Sequence, residues 1–318
     1  MSSQTGSVAA ARLHAHGATL RVEEVELPEP DADDVRVELR FGGVNPIDRY
    51  TAEGRVSPDG PLPRTLGSEA AGELDGRPVM VAGEGLGSTR DGVWAQAAVV
   101  PAGAVVEIPA GVGLSEAAAM GVAGLTARNC VREVAGVTAG DRVLVLGASG
   151  GVGSMIVSLA RAAGATVWGQ TGSAAKAAAI TADGADRVII GGPEQVAPAV
   201  ADFAPTVAFD PLGDGFVAPV VEALVARGRL VSFGVSAGAE VTFNMQMVYR
   251  KALSLLGYGG GQLTREERRR GLEAALEALR AGDLKVRIDE IVALDQVNDA
   301  LQRLSDRAVQ GNLLLDLS

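Results

Sequence analysis

A single cysteine, Cys130, excludes an internal disulfide and any four-cysteine zinc site. The two histidines, His14 and His16, lie together near the N-terminus, far in sequence from Cys130. A catalytic zinc takes three protein ligands, and these residues do not supply them. Both histidines read as surface residues. No Ser/His/Asp triad can be built without one of them. Aromatics make up 3% of the chain, so the core must come from Ala, Val, Leu and Ile. Lysine is equally scarce: Lys176, Lys251 and Lys285 are the only three, and the position of each is informative. No run of 18 apolar residues occurs, so no helix is expected to cross a membrane. The opening Met1-Ser2-Ser3-Gln4-Thr5 lacks a basic and apolar leader, and a reducing, cytoplasmic location is expected. The net charge of −11 argues against nucleic acid as the main partner, though not against one phosphate held by backbone amides.

What is present is ordinary globular composition, 47% hydrophobic and 21% charged over 318 residues, enough for one or two domains. Residues 8 to 110 read as β-rich, punctuated by proline and glycine. Val35–Leu39 alternates apolar and polar with period two, and 79–81 and 95–100 look like further strands. The pattern changes near residue 114. Ser115 is a plausible helix N-cap, and Thr126–Val134 reads as a second helix. Short apolar strands then alternate with helical stretches: Arg142–Leu146, Thr166–Gly169, Arg187–Ile190, Thr206–Phe209, Arg229–Phe233 and Ser254–Gly257, with helices near 152–163, 173–183, 193–202 and 214–227. Such alternation predicts βαβ units and an α/β, doubly wound parallel sheet. A charged helix from Thr264 to Ala281, a strand near 286–292, a helix from Asp295 and a last strand at 312–316 follow.

The most informative stretch is Leu144-Val145-Leu146-Gly147-Ala148-Ser149-Gly150-Gly151-Val152-Gly153, where a strand enters a glycine-rich turn and a helix follows at once. Ala148 replaces the first glycine of the dinucleotide fingerprint, while Gly150 and Gly153 match the second and third. A diphosphate there would meet free amides and the positive end of a helix. Ser149, Gly150, Gly151, Val152 and Gly153 are therefore candidate cofactor-binding residues. NAD-binding enzymes usually carry an acid about 20 residues later for the ribose 2′-hydroxyl. Here the next strand ends at Gln170, and no acid lies between Ala165 and Ala182. Gly172, Ser173 and Lys176 follow instead, which favours a 2′-phosphate and hence NADPH.

These motifs resemble a family. Gly43-Val44-Asn45-Pro46-Ile47-Asp48, Leu66-Gly67-Ser68-Glu69-Ala70-Ala71-Gly72, Gly124-Leu125-Thr126-Ala127, the 148–153 turn, Phe209-Asp210, Val231-Ser232-Phe233-Gly234 and Gln310-Gly311-Asn312-Leu313-Leu314 look like the zinc-independent quinone oxidoreductase branch of the medium-chain dehydrogenase/reductases, the zeta-crystallin-like group. The resemblance implies a Rossmann domain over 124–262 and a β-rich, GroES-like catalytic domain made from 1–123 and a return segment, 263–318. Zinc-dependent relatives carry a cysteine where this chain has Asn45 and a histidine where it has Ser68. By position, Asn45 would lie near the nicotinamide and the substrate oxygen. Thr126, Phe233, Gly234, Val235, Gly257, Tyr258 and Asn312 would line the cofactor site.

The expected activity is NADPH-dependent, zinc-independent hydride transfer to a quinone or conjugated enone. Asn45 is the first candidate for stabilising the oxygen and Tyr50 the second, with Tyr50 also able to donate a proton. An enoyl-thioester reductase of polyketide or fatty-acid assembly is the second enzymatic reading. A non-catalytic NADPH-binding protein of the zeta-crystallin kind is the rival from another class. The apolar stretch Ala252–Leu256 reads as an edge strand that would pair across a two-fold axis in a homodimer.

Overall fold

The computed structural model describes residues 6–318. Contacts divide the chain into two units. One takes the chain up to Gly124, then Thr264–Arg280 and Arg287–Ser318; the other takes Leu125–Leu263 and Ala281–Val286. Ala281–Val286 thus leaves the expected return segment. Leu284 is buried, and the Lys285 N–H donates to Ser158 Oγ (3.1 Å) on the Gly151–Ala162 helix.

In the first unit, the period-two stretch becomes the strand Asp34–Val44, with Val37 and Leu39 buried and Glu38 and Arg40 exposed. This strand is the spine of a seven-stranded sheet. On one side it pairs with Asn312–Asp316, which comes from the far end of the chain, and on the other with Glu69–Leu74. Ala97–Pro101 also pairs with it. A small second sheet joins Ser7–Leu13 to Arg21–Glu26 and Arg64–Thr65. Their apolar faces share a core that includes Leu13, Leu66, Trp94, Val100, Leu313 and Leu315, so both chain ends contribute to one interior.

The second unit is a Rossmann sheet. Its strands are β1 (Arg142–Val145), β2 (Thr166–Thr171), β3 (Arg187–Ile190), β4 (Val207–Asp210), β5 (Arg229–Ser232) and β6 (Ser254–Gly257). All neighbours pair in parallel, in the order β3-β2-β1-β4-β5-β6. Such strands are covered on both faces, which is why they read as continuous apolar runs. Chain order reverses between β1 and β4, the switch point where such sheets take ligands.

Several boundaries differ from expectation. The first helix after the β-rich region begins at Leu114 with Gly113 as N-cap, because Glu116 reaches back to the Gly113 N–H (3.3 Å); Ser115 lies inside it. The stretch after Leu125 is α-helical only to Asn129, and Cys130–Val134 continues as a π turn. The helix expected to reach 227 ends at Ala223, where Leu224 turns extended. The Met245–Lys251 helix, with no buried residues, gave no periodic signal. Among the described residues, no helix is long and apolar enough to cross a membrane.

Candidate functional site

The turn after β1 is tied down before its helix begins. The Gly147 N–H donates to Gln170 Oε1 (3.0 Å), the Ala148 N–H to the Gln170 carbonyl (2.9 Å), and the Gly150 N–H to the Gly147 carbonyl (3.1 Å). Gly150 is the N-cap of the Gly151–Ala162 helix and brings no capping side chain. Twelve residues of aligned peptide dipoles therefore end on the first-turn amides of Gly151, Val152 and Gly153, which precede any intrahelical acceptor. A side chain at Gly153 would put its Cβ 2.3 Å from the Gly147 carbonyl oxygen, so only glycine lets the turn close on the helix. At Gly150 the nearest obstacle to a Cβ is 3.5 Å away, and the front of the turn is open. Ser149 Oγ lies 3.2 Å from Thr171 Oγ1, joining the turn to the end of β2. These features fit a dinucleotide diphosphate.

Gln170 is placed differently from the sequence expectation. β2 runs on through Thr171, and Gln170 is only 2% exposed. Its amide faces inward: Oε1 accepts from Gly147, and Nε2 donates to the Gly191 carbonyl (2.7 Å). The strand instead delivers Gly172, exposed and with no atom within 4 Å of where a Cβ would stand. The Ser173 N–H donates to Thr171 Oγ1 (3.3 Å), and Lys176 closes the short turn that follows. No carboxylate occurs from Thr171 to Lys176.

The other strand ends converge on this edge of the sheet. Asp210, at the end of β4, accepts from the Leu212 N–H (2.8 Å) and the Gly213 N–H (3.1 Å), and burial raises its pKa above the usual carboxylate value. The Phe233 N–H donates to the Asp210 carbonyl and the Ser236 N–H to the Pro211 carbonyl, so Phe233-Gly234-Val235 folds back along 210–211. The Tyr258 N–H donates to the Ser232 carbonyl (2.9 Å), placing Gly257 and Tyr258 beside that loop. Thr126 is half-buried on the Leu125–Asn129 helix.

Asn45, Tyr50 and Asn312 belong to the first unit. Asn45 is the N-cap of the Pro46–Ala52 helix, with extended backbone and proline at the first helical position. Its side-chain Nδ2 donates to Glu69 Oε1 (2.5 Å), and the other oxygen, Oε2, accepts from the Val122 N–H (2.8 Å). Asp48 accepts from the Asn45 N–H (2.8 Å) and the Ser68 N–H (3.0 Å), tying the helix start to the strand that carries Glu69. Burial pushes Asp48 up to about 6 against the lowering effect of those donors. Burial likewise pushes Glu69 up to about 8, with Asn45 and Val122 acting in the opposite direction and the Asp48 charge adding to the rise. The Arg49 and Arg55 guanidiniums lie over the Tyr50 ring, at 4.9 and 4.4 Å from its centroid. Asn312 Nδ2 donates to the Arg287 carbonyl (3.0 Å).

Glu69 and Asp48 were not singled out from the sequence. The signal for their setting was Asn45-Pro46, an N-cap followed by proline, which marks a helix start as readily as a turn. Zinc does not fit this place. Asn45 and Ser68 offer an amide and a hydroxyl, and both oxygens of Glu69 and of Asp48 already accept N–H groups. Among the described residues, no group of three His, Cys, Asp or Glu side chains is arranged to hold a metal ion.

Comparison with known proteins agrees with this architecture. The zinc-binding dehydrogenase family matches residues 151–278. Quinone oxidoreductase 1 of Escherichia coli is 30% identical over 328 aligned residues, covering 95% of this chain and 98% of its own. Prostaglandin reductase-3 of Bos taurus is 32% identical, but the alignment covers only 62% of that protein. Among solved structures, a Pseudomonas syringae quinone oxidoreductase superposes with a TM-score of 0.84 at 26% identity, over 97% of this chain and 99% of that one. The structure described as AibC reaches 0.89 at 29% identity, over 98% and 96%. With likeness along nearly the whole of a quinone oxidoreductase, one unit holding a Rossmann sheet and the other a β-rich unit built from both chain ends, the chain belongs to the quinone oxidoreductase branch of the medium-chain dehydrogenase/reductases.

Proposed function

We propose that this oxidoreductase uses NADPH to reduce a quinone or a conjugated enone, without a zinc ion. The observation that carries the reading is the turn from Gly147 to Gly153, an uncapped helix start with an open glycine in front and no acid at the end of β2. The amides of Gly151, Val152 and Gly153 and the Ser149 hydroxyl would hold the diphosphate, with Gly150 leaving the approach open. Gly172, Ser173 and Lys176 would receive the 2′-phosphate, since the open space at Gly172 admits it and no carboxylate repels it. Thr126, Phe233, Gly234, Val235, Gly257, Tyr258 and Asn312 are assigned to the rest of the dinucleotide. Bound there, the nicotinamide supplies hydride. Asn45 is assigned to the substrate oxygen, where its amide would meet the negative charge that develops during reduction. Tyr50 is assigned a supporting place near the same oxygen.

The names of the relatives, quinone oxidoreductase and prostaglandin reductase, support a small-molecule carbonyl-type acceptor. The test is NADPH oxidation with a panel of quinones, enones and 2-enoyl thioesters. Turnover of quinones or simple enones is expected. Turnover of thioesters alone would move the assignment to enoyl-thioester reduction, and tight NADPH binding with no turnover would make the protein a cofactor-binding one. A soluble, cytoplasmic homodimer completes the proposal, supported by the exposed edge strand β6.

A further inference from the structure

We propose that Glu69 is a positioning residue for the reduction: it takes one hydrogen of the Asn45 amide and so fixes that side chain with Oδ1 turned away from the carboxylate and a single N–H left to give. The inference rests on the assignment of Asn45 to the substrate oxygen. Glu69 is only 1% exposed, and two donors arrive on its two oxygens, Asn45 Nδ2 on Oε1 and the Val122 N–H on Oε2. Both oxygens accept in this arrangement, which sets Nδ2 of Asn45 toward Glu69, and the ionised carboxylate permits no other orientation of that amide. The carboxylate cannot swing away. A Cβ at Gly43 would stand 2.3 Å from Oε1, and one at Gly121 would stand 2.8 Å from Oε2, so backbone is packed against both oxygens. Asp48 holds the backbone of the same residue through the Asn45 N–H.

Glu69→Gln gives a sharp consequence. The Val122 N–H is fixed in the backbone and needs an acceptor, so the new carbonyl oxygen must face it. The new NH2 then faces Asn45, whose amide must invert to offer Oδ1. The N–H that Asn45 held ready is turned round, while volume and the cofactor turn are untouched.

The test uses the full-length protein at about pH 9, above the value near 8 to which burial raises Glu69. In the cofactor-free protein, the side-chain amide protons of Asn45, assigned by their loss in Asn45→Ala, should show one proton well downfield of its partner. Glu69→Gln should bring that proton back toward the free-amide position. With NADPH, kcat should fall about a hundredfold with the NADPH Kd unchanged. The double variant Asn45→Asp/Glu69→Gln keeps an acceptor at 45 facing the new NH2 but leaves no side-chain N–H there to give, so its kcat should stay as low as that of Glu69→Gln. Unmoved amide protons in Glu69→Gln, an unchanged kcat, or turnover restored in the double variant would overturn the proposal. If the wild type reduces nothing in the panel, the functional reading fails, while the amide spectrum still decides whether Glu69 orients Asn45.

Discussion

At the scale of single residues, the buried carboxyls dominate. Asp48 and Glu69 are pushed up to about 6 and about 8 by burial, so the folded state binds protons that the unfolded chain has already released. For groups raised in this way, the stability linked to them is fully present below the unfolded values, near 4, and is lost as pH rises toward about 8. Urea denaturation should therefore show stability falling between about pH 5 and 8, by on the order of 3–5 kcal/mol from this pair. Glu69→Gln should flatten most of that slope, and a wild-type stability that rises across the window would refute the account. Gly172 offers a second prediction. An Asp there enters open space at the end of β2, so Gly172→Asp should weaken NADPH binding at least about tenfold and spare NADH. Calorimetric titration with both cofactors reads it directly. Gln170→Asp should not switch preference, because residue 170 faces the protein interior. Cys130 is inert by the same reasoning: burial pushes its thiol up to about 12, and it should resist alkylation until the protein unfolds.

At the scale of elements, the phosphate turn depends on contacts its own fingerprint does not include. Gln170 braces two loops at once, through the Gly147 N–H and the Gly191 carbonyl. Gln170→Ala leaves both part-buried groups without that partner, which costs about 1 kcal/mol for each. Thermal unfolding should show the loss, and NADPH affinity should fall although residue 170 makes no contact with the ligand in this assignment. At Gly153 the helix and the turn are in steric contact. Gly153→Ala forces the Gly147 carbonyl aside, with an expected loss of about 2 kcal/mol and a larger loss of cofactor binding. Wild-type affinity in that variant would mean that the turn does not grip the diphosphate.

At the scale of the whole molecule, β6 ends the Rossmann sheet with Leu255 exposed, and the preceding helix exposes Met245 and Tyr249. An open apolar edge of this kind invites pairing with a second copy. Light scattering should give a dimer mass, and Leu255→Arg should convert it to monomer; a wild-type monomer would remove that part of the proposal. Much was legible in the sequence by itself. Strand, glycine turn and helix around 142–162 and the six apolar strands follow from local rules of periodicity and backbone freedom, which act within one short segment. The inward turn of Gln170, the Asn45–Glu69–Val122 bridge and the transfer of Ala281–Val286 to the nucleotide unit were decided only by tertiary structure. Each pairs groups that lie 21 or more residues apart, and a polar side chain's partner at such distances is chosen by what the fold buries beside it rather than by its neighbours in the chain.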